Sequence, residues 1–450
     1  MPDDDDEVEP SGATLAEVVR LLESGRVDAA LARLIALHPA DQALVIAELD
    51  AELRAPLLAR IPQDELAEIL DFLEEEARRG IIPQLSPAVL GPVLDRVERD
   101  VAADVLRALP SERVQAVLAS MATATDVAPL LRHPDETAGG RMTTDFVALH
   151  RMWTVDEALS YLRRTKPEAE QVYYLYVVDD DHRLEGVVSL RHLVVAAPEE
   201  PIGELMTPEV VSVRTAEDQE EVLRRVQHYN FVAVPVVDDE RHLVGVVSVD
   251  DLMDVAEEEA TEDMFLMAGL SEDESLFRPA VRSIAPRLSW LLVNLLTAFA
   301  AAAVVNTFEG TIERVAVLAV FMPIIAGMGG NAGIQTITLV VRSLALGEVE
   351  LRDVRYVLGR ELVIGVTNGA AIGLLLGVLA YLWKDNVGLG VVAGTAMLLN
   401  MATAVTAGVL VPLTLRWLRL DPALASGVFV TMFTDVMGFF FFLGLATLLV

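Results

Sequence analysis

A single carboxylate lies deep within the apolar C-terminal segment of the chain. Asp435 stands in the run Pro422–Val450, which contains no other charged residue. A lone acid in such a run points to function, because an unpaired charge in a membrane is costly and no long apolar run contains a basic partner. Thr431 lies one helical turn earlier and Thr434 is adjacent. These oxygen donors predict a binding site for a hard cation.

A second polar group interrupts another apolar run. Residues 323–336 read PIIAGMGGNAGIQT, with four glycines and two amides. Gly329 and Gly333 form a GxxxG pair, which is typical of close helix packing. That explanation leaves out Asn331 and Gln335, which share one helix face and must contact protein or water. An ion pathway is therefore predicted along Gly329, Gly330, Asn331, Gln335, Asn400, Thr431 and Thr434, although an interhelical hydrogen bond is the expected role of Asn400.

The types of ligand atom available limit which ion can bind and how many chains must contribute to the site. The chain contains no cysteine, and the predicted pathway contains no histidine. Oxygen ligands alone suit Mg²⁺, which keeps part of its water shell, better than Zn²⁺ or Cu⁺. One carboxylate holds a dication poorly, whereas two copies across a two-fold axis would hold it well. We therefore predict a homodimer whose axis passes near Asp435.

Five apolar runs are long enough to cross a bilayer as helices, since about 20 residues suffice. They cover approximately 288–308, 315–341, 362–383, 387–415 and 423–449. Arginines concentrate in the second and fourth connections, which places those loops in the cytoplasm. The prediction is a multi-pass protein of the cell (inner) membrane, with a cytoplasmic N-terminus and an extracytoplasmic C-terminus.

The net negative charge of the chain comes entirely from the residues before this membrane segment. The formal net charge is -34, and from Pro286 onwards nine basic residues balance nine acidic ones. An acidic surface of this kind attracts cations and excludes nucleic acid as a partner. Residues 1–10 are expected to be a disordered acidic tail.

Short amphipathic helices are predicted from residue 11 to about 132. Leu and Ala recur at helical spacing between Pro-marked turns, as in residues 52–62 and 111–121. Such a loose repeat predicts an all-α superhelical N domain whose helices stack on one another.

Two copies of a different unit follow, each with a Met-Thr turn, a helix and two apolar strands. The helices are predicted at Val155–Arg164 and Asp218–Tyr229, and the strands at 173–178, 184–190, 231–237 and 243–249. The units resemble a pair of α/β CBS domains. Gly245, Ser248 and Asp251 are similar to the nucleotide-contacting turn of that family. The first copy has His192 where an acid would contact a ribose, so ATP is expected at one copy at most, and a purely structural pair is an equal alternative.

A run of acids follows the second copy, between Asp250 and Asp263, in a helix predicted to continue towards Arg287. Like charges at this spacing repel each other. The common explanation is a solvated face; the alternative is a divalent cation held against another acidic face. Candidate faces are Asp100 with Asp104, and Asp218 with Glu220.

Taken in this order along nearly the whole chain, these elements resemble the MgtE family of magnesium channels. The stretches that carry the resemblance are 260–263 (ATED), 329–335 (GGNAGIQ), 421–426 (DPALAS) and 434–438 (TDVMG). The resemblance implies that Asp435 is the pore carboxylate and that Gly330 and Asn331 line the pore. It also implies regulatory Mg²⁺ ligands at Asp218, Glu220, Asp251, Asp254, Glu259, Glu262 and Asp263, with Asp100 and Asp104 as partners from the N domain.

Two positions depart from the family pattern. Asn230 stands where the family often has an acid, which weakens one regulatory site. Met328 stands where a threonine can precede the glycines. The predicted domains are an N domain (11–132), CBS domains (138–198 and 202–257), a connecting plug helix (258–286) and a five-helix transmembrane domain (287–450).

The predicted function is Mg²⁺ import through a channel or transporter that cytosolic Mg²⁺ shuts by binding the acidic faces. The alternatives are a broader carrier of Co²⁺, Mn²⁺ or Ni²⁺, and a membrane-anchored CBS sensor that transports nothing. An enzyme is not expected, because the sequence has no Ser/His/Asp set, phosphate loop or HExxH motif.

Overall fold

The computed structural model describes residues 11–73, 75–167, 172, 174–271, 274, 280–424 and 426–450. The predicted acidic tail at residues 1–10 lies outside the described residues, as do Tyr173 of the first predicted strand and Ala425 of the DPALAS stretch. Two compact units divide the chain. We call Met1–Met253 the N-terminal unit and Asp254–Val450 the C-terminal unit.

Short helices build the first part of the N-terminal unit. They are α1 (Ser11–Glu23), α2 (Val27–Ile35), α3 (Pro39–Glu48), α4 (Ala51–Leu58), α5 (Gln63–Asp71), α6 (Glu75–Ile81), α7 (Pro87–Leu94), α8 (Arg99–Arg107), α9 (Ser111–Leu118) and α10 (Ala124–Val127). Proline opens α3 and α7, where its missing N–H costs nothing. Leu34, Leu57 and Leu90 are fully buried, so the apolar positions of the repeat form the core. The predicted all-α N domain is confirmed.

The CBS pair follows. Its helices are α11 (Ala138–Arg141), α12 (Val155–Thr165), α13 (Leu190–Val195), α14 (Ile202–Leu205) and α15 (Gln219–Tyr229). Its strands are β1 (Ala148–His150), β2 (Leu175–Val178), β3 (Leu184–Val188), β4 (Thr207–Pro208), β5 (Val213–Arg214), β6 (Ala233–Val237) and β7 (Leu243–Ser248). A capping box formed by Thr154 and Glu157 starts α12.

The two CBS sheets each borrow a segment from the other copy. One sheet has the order β1-β2-β3-β4 and the other β5-β6-β7, with the first pair parallel and the second antiparallel in each. The Met-Thr turn of the second copy pairs with β3 of the first, and Thr143 of the first copy pairs with Val246 of the second. This exchange ties the two copies into one α/β module.

Helix α16 (Val249–Met267) carries the acidic run and ends earlier than predicted. Gly269 adopts φ +75°, and the Leu270 N–H donates to the Phe265 carbonyl at 2.9 Å. This is a Schellman cap, which glycine favours because its left-handed backbone carries no Cβ penalty. The expectation of one helix running on towards Arg287 is therefore wrong, and the next described helix begins at Ala280.

Among the described residues of the C-terminal unit, five helices are long and apolar enough to cross a membrane, as predicted. They are α17 (Ala280–Thr307), α19 (Leu318–Ala345), α20 (Val354–Lys384), α21 (Val387–Trp417) and α22 (Ser426–Leu449), with the short α18 (Glu309–Arg314) between the first two. Helix α20 begins eight residues before the predicted start of its span, so Glu361 lies inside it.

Helix α21 is the centre of this unit. It contacts α19, α20 and α22, and Ala396, Met397 and Val409 on it are fully buried. Glycines on α20 and α21 let the two backbones touch: an added Cβ at Gly373 would lie 2.5 Å from the Gly394 carbonyl oxygen. By contrast, the outer face of α17 is open, with Leu296 71% exposed.

Candidate functional site

The polar motif of α19 has two faces. Gly329 and Gly333 are buried, and an added Cβ at either would collide with a neighbouring side chain, Asn400 or Val430 respectively. The GxxxG pair therefore serves close helix packing against α21 and α22. Gly330 has nothing within 4 Å of the position where a Cβ would stand, so packing does not require it to be glycine.

Asn331 and Gln335 lie on the opposite side of α19, and both are exposed in the single chain. We call them the amide face. They stand one helical turn apart, in the middle of a helix of 28 residues that is apolar enough to span a membrane. An amide is costly in hydrocarbon, so this face requires water or a second protein surface.

Asp435 lies on α22 and is half-buried. Thr434 beside it is fully buried and donates to the Thr431 carbonyl at 2.9 Å, while Thr431 donates to the Gly427 carbonyl at 2.9 Å. Both hydroxyl protons are thus used within the helix, which leaves hydroxyl lone pairs as the available groups. Val430 and Gly438, on either side of Asp435, approach Gly333 of α19 and Asn400 of α21.

Asn400 is buried between helices and does not lie on the exposed surface that carries Asn331 and Gln335. It is 0% exposed, and its Nδ2 donates to the Ile325 carbonyl of α19 at 2.9 Å. The expected interhelical hydrogen bond is present. Because the side chain is enclosed by α19, α21 and α22, Asn400 does not line an exposed face of the protomer.

A buried acid on α20 was not predicted from the sequence. Glu361 is 4% exposed and accepts a hydrogen bond of 3.2 Å from Thr336 of α19, while Arg360 pairs with its other oxygen. The predicted span began at residue 362, so Glu361 was assigned to a loop. The helical spacing of Glu361 and Gly365 on one face was the signal available for extending the helix.

A separate acidic cluster lies in the N-terminal unit. Asp100 on α8 is 5% exposed, and its Oδ1 has no hydrogen-bond partner among the described residues. Burial raises the pKa of Asp100 well above its usual range, and the nearby carboxylates of Asp251, Glu98 and Asp104 raise it further. An orphaned buried carboxylate oxygen among other carboxylates fits a hard divalent cation, which would supply the missing positive charge.

Asp104, one turn after Asp100, has a mixed environment. Burial raises the pKa of Asp104 to about 6, and Asp135 adds to the effect, while Arg107, Arg141 and Arg78 oppose it. Arg107 pairs with Asp104 at 2.6 Å and with Asp135 at 2.9 Å.

We expect the metal-free protein to lose stability as the pH rises through about 6. Folded Asp104 still holds a proton there, whereas the unfolded chain releases it near 3.8, so ionisation penalises the folded state only. Urea denaturation of the purified chain in chelator, at about pH 5 and about pH 7.5, tests this. Asp104→Asn should lose less stability between the two pH values, and an equal loss in both proteins would contradict the assignment.

The turn between β7 and α16 brings the predicted nucleotide residues together. Ser248 donates to the Asp251 carboxylate, and Gly245 is closely packed, since an added Cβ would lie 2.5 Å from the Met142 sulfur. Asp251 is also close enough to Asp100 for its negative charge to raise the pKa of Asp100. In the first copy Ser189 accepts from the His192 N–H at 3.3 Å, so the turn is preserved without the acid.

The remaining predicted regulatory residues lie at helix ends or along α16. Asp218 caps α15 by accepting from the Glu220 N–H at 2.9 Å, and Glu220 pairs with Arg224 at 3.8 Å. Asn230 ends the same helix with φ +57°, a left-handed conformation that asparagine tolerates. On α16, Asp254 is exposed, and the half-buried acids are Glu259, Glu262 and Asp263.

Comparison with known proteins supports the order of domains along the chain. A domain model for the divalent cation transporter MgtE matches residues 322–445, one for the MgtE intracellular N domain matches 37–136, and CBS domain models match 138–199 and 202–258. A solved cytosolic domain of the Mg²⁺ channel MgtE in complex with ATP aligns with a TM-score of 0.50 at 39% identity, covering 54% of this chain and 99% of that one.

Three relatives are named magnesium transporter MgtE. The Thermus thermophilus protein is 41% identical over 73% of each chain, the Enterococcus faecalis protein 37% over 92% of each, and the Bacillus subtilis protein 30% over 96% of each. With near-complete coverage and a matching order of domains, the chain belongs to the MgtE family of divalent cation transporters.

Proposed function

We propose that this chain imports Mg²⁺ across the cell membrane as a homodimer, and that cytosolic Mg²⁺ shuts it by binding the acidic residues of the N domain, the CBS pair and α16. The observation that carries the proposal is the division of α19 into a packed glycine face and an exposed amide face. A helix that spans the membrane with Asn331 and Gln335 exposed requires a water-filled pathway or a partner.

A two-fold pair meets both requirements. Two amide faces on either side of an axis would enclose water, and two copies of Asp435 would supply charge for one dication. The donors are carboxylate, amide, hydroxyl and backbone oxygens, which favour a hydrated Mg²⁺ over softer metals. The membrane potential drives cation entry without a coupled reaction.

The distribution of arginine supports a cytosolic N-terminus. Arg342, Arg352, Arg355 and Arg360 flank the connection between α19 and α20, and Arg416 and Arg419 that between α21 and α22. The opposite connections carry only Arg314 and Lys384. The rule that cytoplasmic loops are enriched in Lys and Arg then places the acidic unit where it meets cytosolic Mg²⁺ and the C-terminus outside.

Regulation follows from charge. Bound Mg²⁺ supplies the positive charge that allows clustered carboxylates to approach. Asp100, Asp104 and Asp251 would hold the ion within the N-terminal unit. The further proposed ligands are Asp218, Glu220, Asp254, Glu259, Glu262 and Asp263. A ligand shifts an equilibrium only by binding one state better, and the compact state offers the denser carboxylates.

The end of α16 is suited to transmit this change. Leu266 packs with Ile337 of α19 and Val430 of α22, and an added Cβ at Gly427 would lie 2.9 Å from the Met267 carbonyl oxygen. The last turn of α16 therefore contacts the two helices that carry the amide face and Asp435. Moving this turn would move the proposed pore helices.

We also propose ATP as a ligand of the second CBS copy, through Gly245, Ser248 and Asp251. The related cytosolic domain was solved with ATP. Because Asp251 also faces Asp100, nucleotide and divalent cation would compete for this carboxylate.

Thiol labelling tests the pore directly, because the natural chain has no cysteine. We expect a charged, membrane-impermeant thiol reagent to label Asn331→Cys and to block Mg²⁺ flux. Leu374→Cys is the control, since Leu374 is 71% exposed on α20 but belongs to no proposed pathway. Labelling of Leu374→Cys with no labelling of Asn331→Cys would contradict the pore.

A further inference from the structure

Asn400 occupies a socket built by three helices. It is fully buried on α21, and its Nδ2 donates to the Ile325 carbonyl of α19 at 2.9 Å. That carbonyl lies one turn before Gly329, in the helix that carries the amide face. The hydrogen bond therefore joins α21 to the backbone of the proposed pore helix.

Two glycines make room for this amide. An added Cβ at Gly329 of α19 would collide with Nδ2, and one at Gly438 of α22 would lie 2.8 Å from it. Contacts this close are incompatible with any larger residue unless the amide moves. The glycine required on each pore helix is thus set by one side chain from a third helix.

The socket is energetically incomplete. Asn400 Oδ1 is buried and has no hydrogen-bond partner among the described residues. Burying an unsatisfied acceptor costs about 1–3 kcal/mol. A small apolar side chain would avoid that cost but would lose the bond to the Ile325 carbonyl. Stability alone therefore does not account for an amide at this position.

The socket lies at a defined position along α19 and α22, close to the proposed pore residues. Gly329 immediately precedes Gly330 and Asn331 on α19, and Gly438 lies three residues after Asp435 on α22. The same amide contacts both helices within one turn of the proposed pore residues Asn331 and Asp435. Packing at Gly333 and Val430 makes the second contact between these helices, on the other side of Asp435.

We propose that Asn400 is a positioning residue that fixes where the Gly330–Asn331 segment of α19 lies, along the helix axis, relative to Asp435 of α22. This inference rests on the proposed pore. Asn400 does not touch the ion; it acts through the Ile325 carbonyl and the two glycines. Its loss should therefore weaken recognition of Mg²⁺ in the pore more than it lowers the amount of folded protein.

The test is Mg²⁺ flux in proteoliposomes as a function of external Mg²⁺. Asn400→Ala should raise the half-saturating Mg²⁺ concentration about tenfold. A change of this size is within the range of coupling energies between side chains that contact each other. Gly329→Ala and Gly438→Ala should each do the same, because the amide is displaced. Adding Asn400→Ala to either glycine variant should cause little further change. Gly359→Ala, at an open helical position on α20, is the control.

The outcomes separate a positioning role from a structural one. An unchanged half-saturation in Asn400→Ala, with or without a lower thermal stability, would overturn the inference. Fully additive effects in both double variants would overturn it as well, since they would show that the glycines and the amide act independently. If Gly329→Ala does not fold, the Gly438→Ala pair gives the same comparison. Wild-type flux in Asp435→Ala would instead reject the pore itself.

Discussion

Replacing Asp435 with alanine is expected to reduce Mg²⁺ flux by about 100-fold, equivalent to about 3 kcal/mol, because it removes the carboxylate that holds the dication in the proposed pore. Asp435 is the only acid on α22, and it is half-buried near the packed glycines of α19. In a dimer the substitution removes both copies at once. The measurement is initial Mg²⁺ uptake by proteoliposomes at equal protein content.

Two variants serve as controls for this prediction. Asp435→Asn keeps the shape of the side chain and should also lose flux, since charge is the property in question. Glu313→Ala removes an exposed acid from the same unit and should transport normally. If Asp435→Ala retained most of its flux, the membrane-anchored sensor would become the better account.

Neutralising Asp251, Asp254 and Glu259 together is expected to leave a transporter that regulator-side Mg²⁺ no longer shuts. The inhibitory concentration should rise by at least about tenfold, because each lost carboxylate removes part of the preference for the compact state. Flux at low Mg²⁺ should be unchanged or higher. The measurement is flux at fixed external Mg²⁺ and increasing Mg²⁺ on the regulator side.

A matched triple variant controls for net charge. Asp181, Asp239 and Glu240 are exposed acids at the hairpin turns of the CBS pair. Neutralising them changes the formal charge by the same amount and should leave inhibition intact. Equal loss of inhibition in both triple variants would show that overall charge, and not the acidic residues of α16, governs closure.

The sequence predicted the elements that depend on local pattern. Apolar runs longer than a bilayer is thick give helices wherever they occur, so five spans were evident. Apolar strands between turn residues identified the CBS pair, and the ends of the four predicted strands were correct to within two residues. The i, i+4 spacing of Asn331 and Gln335 likewise placed both amides on one face.

The rest depended on contacts distant in sequence. Glu361 was assigned to a loop because a charge normally ends an apolar run. Its hydrogen bond from Thr336 of α19, together with its ion pair with Arg360, explains a buried acid there. The end of α16 depends on one glycine, Gly269, whose conformation a helical pattern does not reveal. The shared socket around Asn400 involves α19, α21 and α22, and no local spacing encodes it.

The exchange of segments between CBS copies is a further example. Each Met-Thr turn precedes its own copy in sequence, yet Met142 packs on Gly245 and Met206 packs on Gly186. A sequence repeat identifies equivalent positions in the two copies, but it does not show which copy each Met-Thr turn packs against. The proximity of Asp251 to Asp100 also cannot be predicted from sequence spacing, because the two residues lie far apart in the chain.

The most direct test of the central claim is wild-type Mg²⁺ flux into proteoliposomes of known orientation, with Mg²⁺ varied on the regulator side alone. We expect rapid uptake at low regulator-side Mg²⁺ that falls steeply as that concentration rises, while the external concentration stays constant. Uptake that is independent of regulator-side Mg²⁺, or no uptake by well-folded protein, would contradict it.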